Sequence, residues 1–473
     1  MLLHLEDEEA VKALCEAGHF SSGSPDAALL ELSQLSLPVE ARLAGLNDWL
    51  KRYKLAPLHL RKGALQLSLG GLCTRRVRAR ARSRQLPRVS VVMPVYNASA
   101  TVLLALESLL AQSWPRLEIL VVDDASEDDT AEKVAELARF EPRVRLIRHE
   151  SNRGAYAARN TGMQAARGDY LTVHDSDDWS HPEKITRQVK ALLRHRGAKA
   201  SLSSWIRVDA QLRALGPWHL CPDWLEPNPS SLLVSREVVE TLGLWDEVRV
   251  AADNEFIERI RNHYGERAIL KVLPKAPLAF SLVQPSSLTR QSATHVRTIH
   301  NGLRYLYHQA AAWWHRRQVV PVMETDGWRR PFPVPLGSSK LASQDYDVAV
   351  LAELSPRNPR LRPLLKALLS QCQAGRSVVL CPWSRPDDFA SRQVADDIWE
   401  LCHEEGIALA HPGLEFQCER LVAQLPSPDP LEWPDRVPVL NSSRPPESLD
   451  GQLLAAEVGE ALRVYLRAGG RAP

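Results

Sequence analysis

No apolar run in this chain of 473 residues approaches the ~18 residues that a membrane-spanning helix requires. Cysteine is sparse: seven residues, at positions 15, 73, 221, 372, 381, 402 and 418, with no C-x-x-C pair. An odd, scattered set argues against a disulfide framework and for reduced thiols. Excess charge is also missing, since 59 Lys and Arg face 57 Asp and Glu for a formal net charge of +2. That balance gives no electrostatic case for nucleic acid as a partner. The first residues, Met1-Leu2-Leu3-His4-Leu5-Glu6-Asp7-Glu8-Glu9, turn acidic at once, unlike a secretory leader. These absences imply a cytoplasmic protein, peripheral at most on the inner face of a membrane. Its 44% hydrophobic and 25% charged residues are ordinary for globular protein, and the length suits roughly three domains.

Residues 1–72 read as a helical N-terminal module, because Leu29, Leu30, Leu32 and Leu35, then Leu43, Leu46 and Leu50, recur at helical spacing. Residues 73–87 form an Arg-rich linker. Six of the ten residues Arg75 to Arg84 are arginine. Such a run reads either as a solvated linker or as a patch for anionic lipid headgroups. It has no interleaved aromatic residues on which bases could stack, so nucleic acid is not expected.

From residue 88 the pattern is βαβα. Apolar strands are predicted at 89–94, 117–122, 144–147 and 170–173. Between them lie a helix capped at Ser99, one capped at Asp128 or Asp129, and one from Gly154 to Ala166 closed by Gly168. A helix then runs from Pro182 to Arg196, a strand from Ser201 to Val208, and another over 232–234. This alternation specifies an α/β fold with a mostly parallel sheet sandwiched by helices and right-handed crossovers. Residues 296–340, rich in Trp, His and Arg, read as a connector. Residues 341–473 form a smaller Rossmann-like α/β domain without G-x-G-x-x-G, so no dinucleotide is assigned to it.

The chain is organised around Gly168-Asp169-Tyr170-Leu171-Thr172-Val173-His174-Asp175-Ser176-Asp177-Asp178. Ligands of open α/β sheets bind outside the carboxyl ends of strands, where these acids fall. Two carboxylates at this spacing suit Mg²⁺ or Mn²⁺, which complete their shell with water and phosphate oxygens. A solvated acidic turn ahead of Pro182 is the simpler alternative. Strand ends at Tyr96-Asn97 and Asp123-Asp124 fall on the same sheet edge. Asp253 sits at a helix start, where the helix dipole alone favours a carboxylate.

Four segments together resemble family 2 glycosyltransferases of the GT-A fold. They are Val91-Val92-Met93-Pro94-Val95-Tyr96-Asn97, Glu118 to Ser126, Ala158-Arg159-Asn160-Thr161-Gly162, and His174-Asp175-Ser176-Asp177-Asp178. The resemblance spans a transferase domain at 88–295. It implies an inverting hexosyl- or hexosaminyl-transferase with Mn²⁺ or Mg²⁺ and a nucleoside-diphosphate sugar donor, a UDP-sugar foremost. It also implies a glycan or lipid-linked acceptor, as in bacterial surface polysaccharide synthesis. By the family pattern Asp124 holds the nucleobase, with Pro94, Tyr96 and Asn97 lining that end and Arg159 beside it. Asp175 contacts the ribose or the metal shell, Asp177 ligates the metal, and Asp253 is the general base. Ala252 departs from the pattern, which often has an acid there. No Q-x-x-R-W motif is present, so single addition is expected rather than processive synthesis. Two other classes remain open. A sugar-nucleotide nucleotidyltransferase would need a glycine- and basic-rich loop where the chain has Tyr96-Asn97-Ala98-Ser99. A non-catalytic glycan-binding protein with a decayed transferase domain would have no need of Asp124, Asp175, Asp177 and Asp253.

Overall fold

The strand Val89–Val95 is buried along its whole length and is the axis of a seven-stranded sheet. A computed structural model describes residues 28–29, 32–33, 35–74, 86–215, 225–283, 294–324, 330–338, 345–384, 388–424, 437–449, 452 and 456–467. The sheet order is Ile269–Lys271, Ala200–Leu202, Leu233–Ser235, Tyr170–Val173, Val89–Val95, Leu117–Asp123 and Val144–Arg148. Val89–Val95 pairs in parallel with Leu117–Asp123 and Tyr170–Val173, and Leu117–Asp123 with Val144–Arg148. Only Leu233–Ser235 runs against its neighbours. Continuous apolar strands joined by helices bury both sheet faces, as the α/β expectation requires.

Several local expectations shift when the chain is packed. The helix expected from a Ser99 cap begins at Val102, and Ser99 Oγ instead accepts from Lys133 Nζ at 2.8 Å. Asp129 occupies the cap position of Thr130–Phe140, but Asp128 is the residue that accepts from the Thr130 amide, at 3.0 Å. The strand expected over 201–208 is broken at Ser203 into Ala200–Leu202 and Ser204–Val208, which belong to different sheets. Ser203 gives its amide to Ser231 Oγ at 2.9 Å and its carbonyl to the Asn228 amide at 2.8 Å, so it cannot continue either ladder. Ser204–Val208 enters a four-stranded sheet with Glu226–Pro227, Pro277–Leu282 and Asp178–Ser180.

The N-terminal stretch contains the helix Val39–Arg52, and also an antiparallel strand pair, Leu58–Leu60 inside the region read as helical with Leu72–Thr74 across its boundary with the linker. Residues 61–71 turn between these strands, which helical leucine spacing does not anticipate. This stretch shares a core with the four-stranded sheet: Leu46, Trp49 and Leu58 are buried in one cluster with Trp179, Ile206 and Phe280. Trp49 Nε1 donates to the Lys275 carbonyl at 3.0 Å. The Arg75–Arg84 run lies outside the described residues.

The chain divides into two units, residues 1–246 with 256–285, and residues 247–255 with 286–473. Segment 247–255, which carries Asp253, thus groups with the C-terminal residues. In that second unit the stretch read as a connector contains the helix Leu303–Arg317, which buries Leu306, Tyr307, Trp313 and Trp314. Its sheet runs Ala408–Leu409, Val378–Pro382, Tyr346–Ala352, Glu415–Gln424, Val439–Ser442, all parallel, with Glu447–Ser448 also on Glu415–Gln424. Glu415–Gln424 and the strands after it extend the expected βαβαβ unit. Among the described residues no helix is long and apolar enough to cross a membrane.

Helix Ala155–Ala165 lies against Val89–Val95 and Leu117–Asp123 at Gly162. A Cβ there would collide with the Val92 side chain and come within 3.2 Å of Val122 Cγ2. Gly162→Ala should therefore cost about 1–3 kcal/mol, as overpacking of a closed core does, despite the better helix propensity of alanine. A urea midpoint unchanged or raised in this variant would contradict the close approach.

Candidate active site

Three adjacent strands end side by side, and their register fixes the site. Val95 pairs with Asp123, Val92 with Val173, and Asp123 with Arg148. The ladder continues one residue further, through Asp124 N to Val95 O at 2.9 Å and His174 N to Val92 O at 2.9 Å. The turns beyond the first two strands contain non-glycine residues at positive φ, Asn97 at 48° and Ala125 at 61°. Backbone in this region is uncommon and clusters at functional sites. Asn97 ties the two turns together: its amide donates to Ser126 Oγ at 3.0 Å, and its Oδ1 accepts from the Glu127 amide at 2.9 Å. Pro94 is buried, and Tyr96 is 46% exposed.

Asp124 is buried, and its carboxylate is held by the loop over 149–154. Oδ1 bonds to His149 Nδ1 at 2.7 Å and accepts from Arg153 N at 2.9 Å. Oδ2 accepts from Gly154 N at 2.7 Å. His149 Nε2 in turn meets Thr161 Oγ1 at 2.9 Å. These donors account for three of a carboxylate's roughly four acceptor sites. Gly154 adopts φ 98°, which allows two successive amides to face one carboxylate at the start of helix Ala155–Ala165.

Asp175 and Arg159 meet directly, with Nη2 donating to Oδ1 at 2.7 Å. Ser230 Oγ donates to Asp175 Oδ2 at 2.6 Å. Arg159 also lies over the Tyr156 ring, 5.1 Å from its centroid. Burial pushes the Asp175 carboxyl up, but Arg159's charge and the two hydrogen bonds outweigh it and hold the group below its ordinary value. Among the described residues Asp177 has no side-chain donor, only its own amide and the attraction of Arg207. Burial first, and the Asp175 charge second, push it up to about 6. Burial, then Asp175 and Asp177, push Asp178 well above the ordinary value. Asp178 Oδ1 is buried and meets no donor among the described residues.

A buried basic pair closes the back of this loop. Lys184 Nζ donates to Ser180 Oγ at 3.1 Å, and His174 Nε2 contacts the same hydroxyl at 2.9 Å. Burial lowers Lys184 to about 8 against the pull of Asp178 and Asp175. Burial and Lys184 lower His174 to about 3, so the imidazole is neutral.

The donor set fits a hard divalent ion. Asp177 offers carboxylate oxygens with no side-chain donor among the described residues, and the neighbouring negative charge would favour a cation there. Asp175 spends both oxygens on Arg159 and Ser230, which suits it to the edge of an ion's shell. Among the described residues no three His, Cys, Asp or Glu side chains are grouped to hold a metal unaided. An ion would complete its shell from diphosphate and water.

Asp253 lies in the first turn of helix Ala252–Tyr264, with Oδ1 accepting from the Asn254 amide at 2.9 Å. The helix is preceded by Ala251 at φ 78°. Within its own unit the Asp253 charge acts on His308, and Glu255 pairs with His315 at 2.9 Å. The geometry thus brings Arg159 and Asp175 into contact and sets Pro94, Tyr96, Asn97 and Asp124 on the next two strand ends. Ser230, His149, Thr161 and Lys184 were not expected. Ser230 stands 55 residues after Asp175 in a Pro-Ser-Ser turn, where no motif marks it.

Residues 90–211 match the family model described as Glycosyl transferase family 2. The chain is 43% identical over 106 residues to the "Succinoglycan biosynthesis protein ExoO" of Rhizobium meliloti, covering 22% of this chain and 30% of that protein. It is 37% identical over 107 residues to "UDP-Glc:alpha-D-GlcNAc-diphosphoundecaprenol beta-1,3-glucosyltransferase WfgD" of Escherichia coli, covering 23% and 42%. These matches span less than half the length of either relative. A crystal structure of S. aureus TarS 1–349 in complex with UDP aligns at TM-score 0.35 with 21% identity, over 42% of this chain and 61% of that one.

The raised Asp177 carboxyl has a definite sign. Between the ordinary value near 3.8 and about 6, the folded protein holds a proton that the unfolded chain has lost. This group alone therefore makes the fold less stable as pH rises through that window. In Asp175→Asn the Asp177 midpoint should fall, yet stay above the ordinary value because burial remains. Carboxyl ¹³C NMR titration reads it, and an unmoved midpoint would show that Asp175 is not a source of the shift.

Proposed function

We propose, from the premise that residues 90–211 form a family 2 glycosyltransferase domain, that this protein transfers a sugar from a nucleoside-diphosphate donor to a glycan or lipid-linked acceptor. The observation that carries the reading is the carboxylate edge itself. One acid, Asp175, is locked by Arg159 and Ser230, and its neighbour Asp177 has no side-chain donor among the described residues and is pushed up to about 6. Such an arrangement favours a cation, and a diphosphate brings its own charge to share one.

Asp124, Pro94, Tyr96 and Asn97 hold the nucleoside end in this reading. The Asp124 carboxylate keeps one acceptor site beyond those given to His149, Arg153 and Gly154, enough for a single N–H of a base. Arg159 and Asp175 position the ribose and diphosphate. Asp177, with Asp175 at the shell's edge, would hold Mn²⁺ or Mg²⁺, which neutralises the charge that develops on the leaving diphosphate. Asp253 takes the proton from the acceptor hydroxyl as it attacks the anomeric carbon, which inverts that centre. The assignment to Asp253 rests on the sequence pattern and on its place at a helix start. The naming of relatives for succinoglycan biosynthesis and for a diphosphoundecaprenol-linked sugar supports surface polysaccharide assembly as the setting and UDP as the nucleotide.

The roles predict separable losses. Asp253→Asn keeps size and the local hydrogen bond, so nucleotide affinity should stay near that of the unmodified protein. Transfer should fall by about 10²–10⁴-fold, the usual contribution of a general base. Asp124→Asn should weaken nucleotide affinity first, because an amide cannot accept from both loop amides and a base. Calorimetry with UDP beside initial transfer rates reads both. Transfer by Asp253→Asn near the unmodified rate would place the base elsewhere.

A further inference from the structure

The first unit carries a second concave feature, on the edge of the seven-stranded sheet. A groove of about 490 Å³ runs between helix Lys184–Arg194 and the edge strand Ile269–Lys271 with the residues that follow it. Its floor is apolar, with Ala191, Leu270, Val272 and Leu273. Its rim is basic, with the cations Arg187, Lys190, Arg194 and Lys271 and the imidazole of His195. The one carboxylate in the lining, Glu183, is already engaged: Oε1 accepts from the Ala56 amide at 2.8 Å, and Oε2 pairs with Arg187 at 2.8 Å. Lys190, Arg194 and Lys271 are exposed, and their side chains make no hydrogen bond or ion pair among the described residues.

Three unpaired cations around one apolar trough are not a by-product of overall charge, since the chain is nearly balanced at 59 basic to 57 acidic residues. Neither are they the alternating charges of a solvated helix. From Lys184 to Lys199 the sequence has seven Lys, Arg and His residues and no Asp or Glu. On the same helix Leu193 is 48% exposed next to Arg194, an apolar side chain presented to solvent among cations. Cations above an apolar trough match the chemistry of a lipid headgroup, whose phosphate is anionic and whose glycerol end is not.

We propose that this groove binds the phosphate of an anionic phospholipid and holds the protein on a membrane surface. The groove's lining residues include none of those assigned to donor binding or catalysis, so its test does not depend on transfer. Sedimentation with phosphatidylglycerol vesicles at low salt should pull down the protein, and phosphatidylcholine vesicles should not. Lys190→Ser, Arg194→Ser and Lys271→Ser together should weaken binding on the order of 100-fold, at about fivefold per cation near such a surface. A charge-matched control, Arg357→Ser, Arg362→Ser and Lys366→Ser, should bind as the unmodified protein does. Raising salt tenfold should release the protein, because the Debye length shortens. Should the triple variant fail to fold, Lys190→Glu alone changes one exposed side chain and should still weaken binding. No binding by the unmodified protein at low salt would overturn the proposal. So would undiminished binding by the groove variant, or an equal loss in the control. Binding of soluble polyphosphate without vesicle binding would assign the groove to a polyanion and likewise overturn it.

Discussion

The contact on which the rest of the site depends is the ion pair between Arg159 and Asp175. Arg159 is sealed, with a side chain 7% exposed, whereas Asp175 keeps 29% open on its far side. The pair crosses from helix Ala155–Ala165 to the turn after Tyr170–Val173, so it fixes two loops relative to one strand edge. It also keeps Asp175 ionised, and that charge raises both Asp177 and Asp178. Arg159 shares with Lys184 and Arg207 the task of offsetting three neighbouring acids, and it is the one that hydrogen-bonds Asp175. Close packing at Gly162, one turn further along the helix, sets the height from which Arg159 reaches down.

A single loop thus carries opposite electrostatic demands. Asp175 gives both oxygens to Arg159 and Ser230, whereas Asp177 meets no side-chain donor among the described residues. Behind them Lys184 and a neutral His174 share Ser180, which supplies positive potential without closing the open side. Environment alone thus sets like residues of one short motif apart in charge state.

Much of this was legible in the sequence because local patterns and the site coincide between residues 88 and 180. Strands there are continuous apolar runs, helices have clear faces, and the acids follow the strands directly. What stayed hidden depends on contacts over long separations. Ser230 reaches Asp175, and Ser203 moves a strand between sheets, through hydrogen bonds that leave no periodic trace. The N-terminal helix read correctly as a helix, but its burial of Trp49 with Trp179 and Phe280 joins segments more than 100 residues apart. In the second unit the strand Glu415–Gln424 does alternate buried and exposed positions, a period-2 signal weaker than the apolar runs of the other strands.

The central claim is that the Asp175–Asp177 edge holds a nucleoside diphosphate through a divalent ion. Calorimetric titration of UDP, with and without Mn²⁺, on the unmodified protein and on Asp177→Asn tests it most directly. Affinity in the unmodified protein should be strengthened by Mn²⁺ and should rise with pH through about 6, as Asp177 loses its proton. In the folded Asp177→Asn variant the Mn²⁺ effect should vanish. Binding equally strengthened by Mn²⁺ in the variant, or no dependence on Mn²⁺ in either protein, would contradict the account.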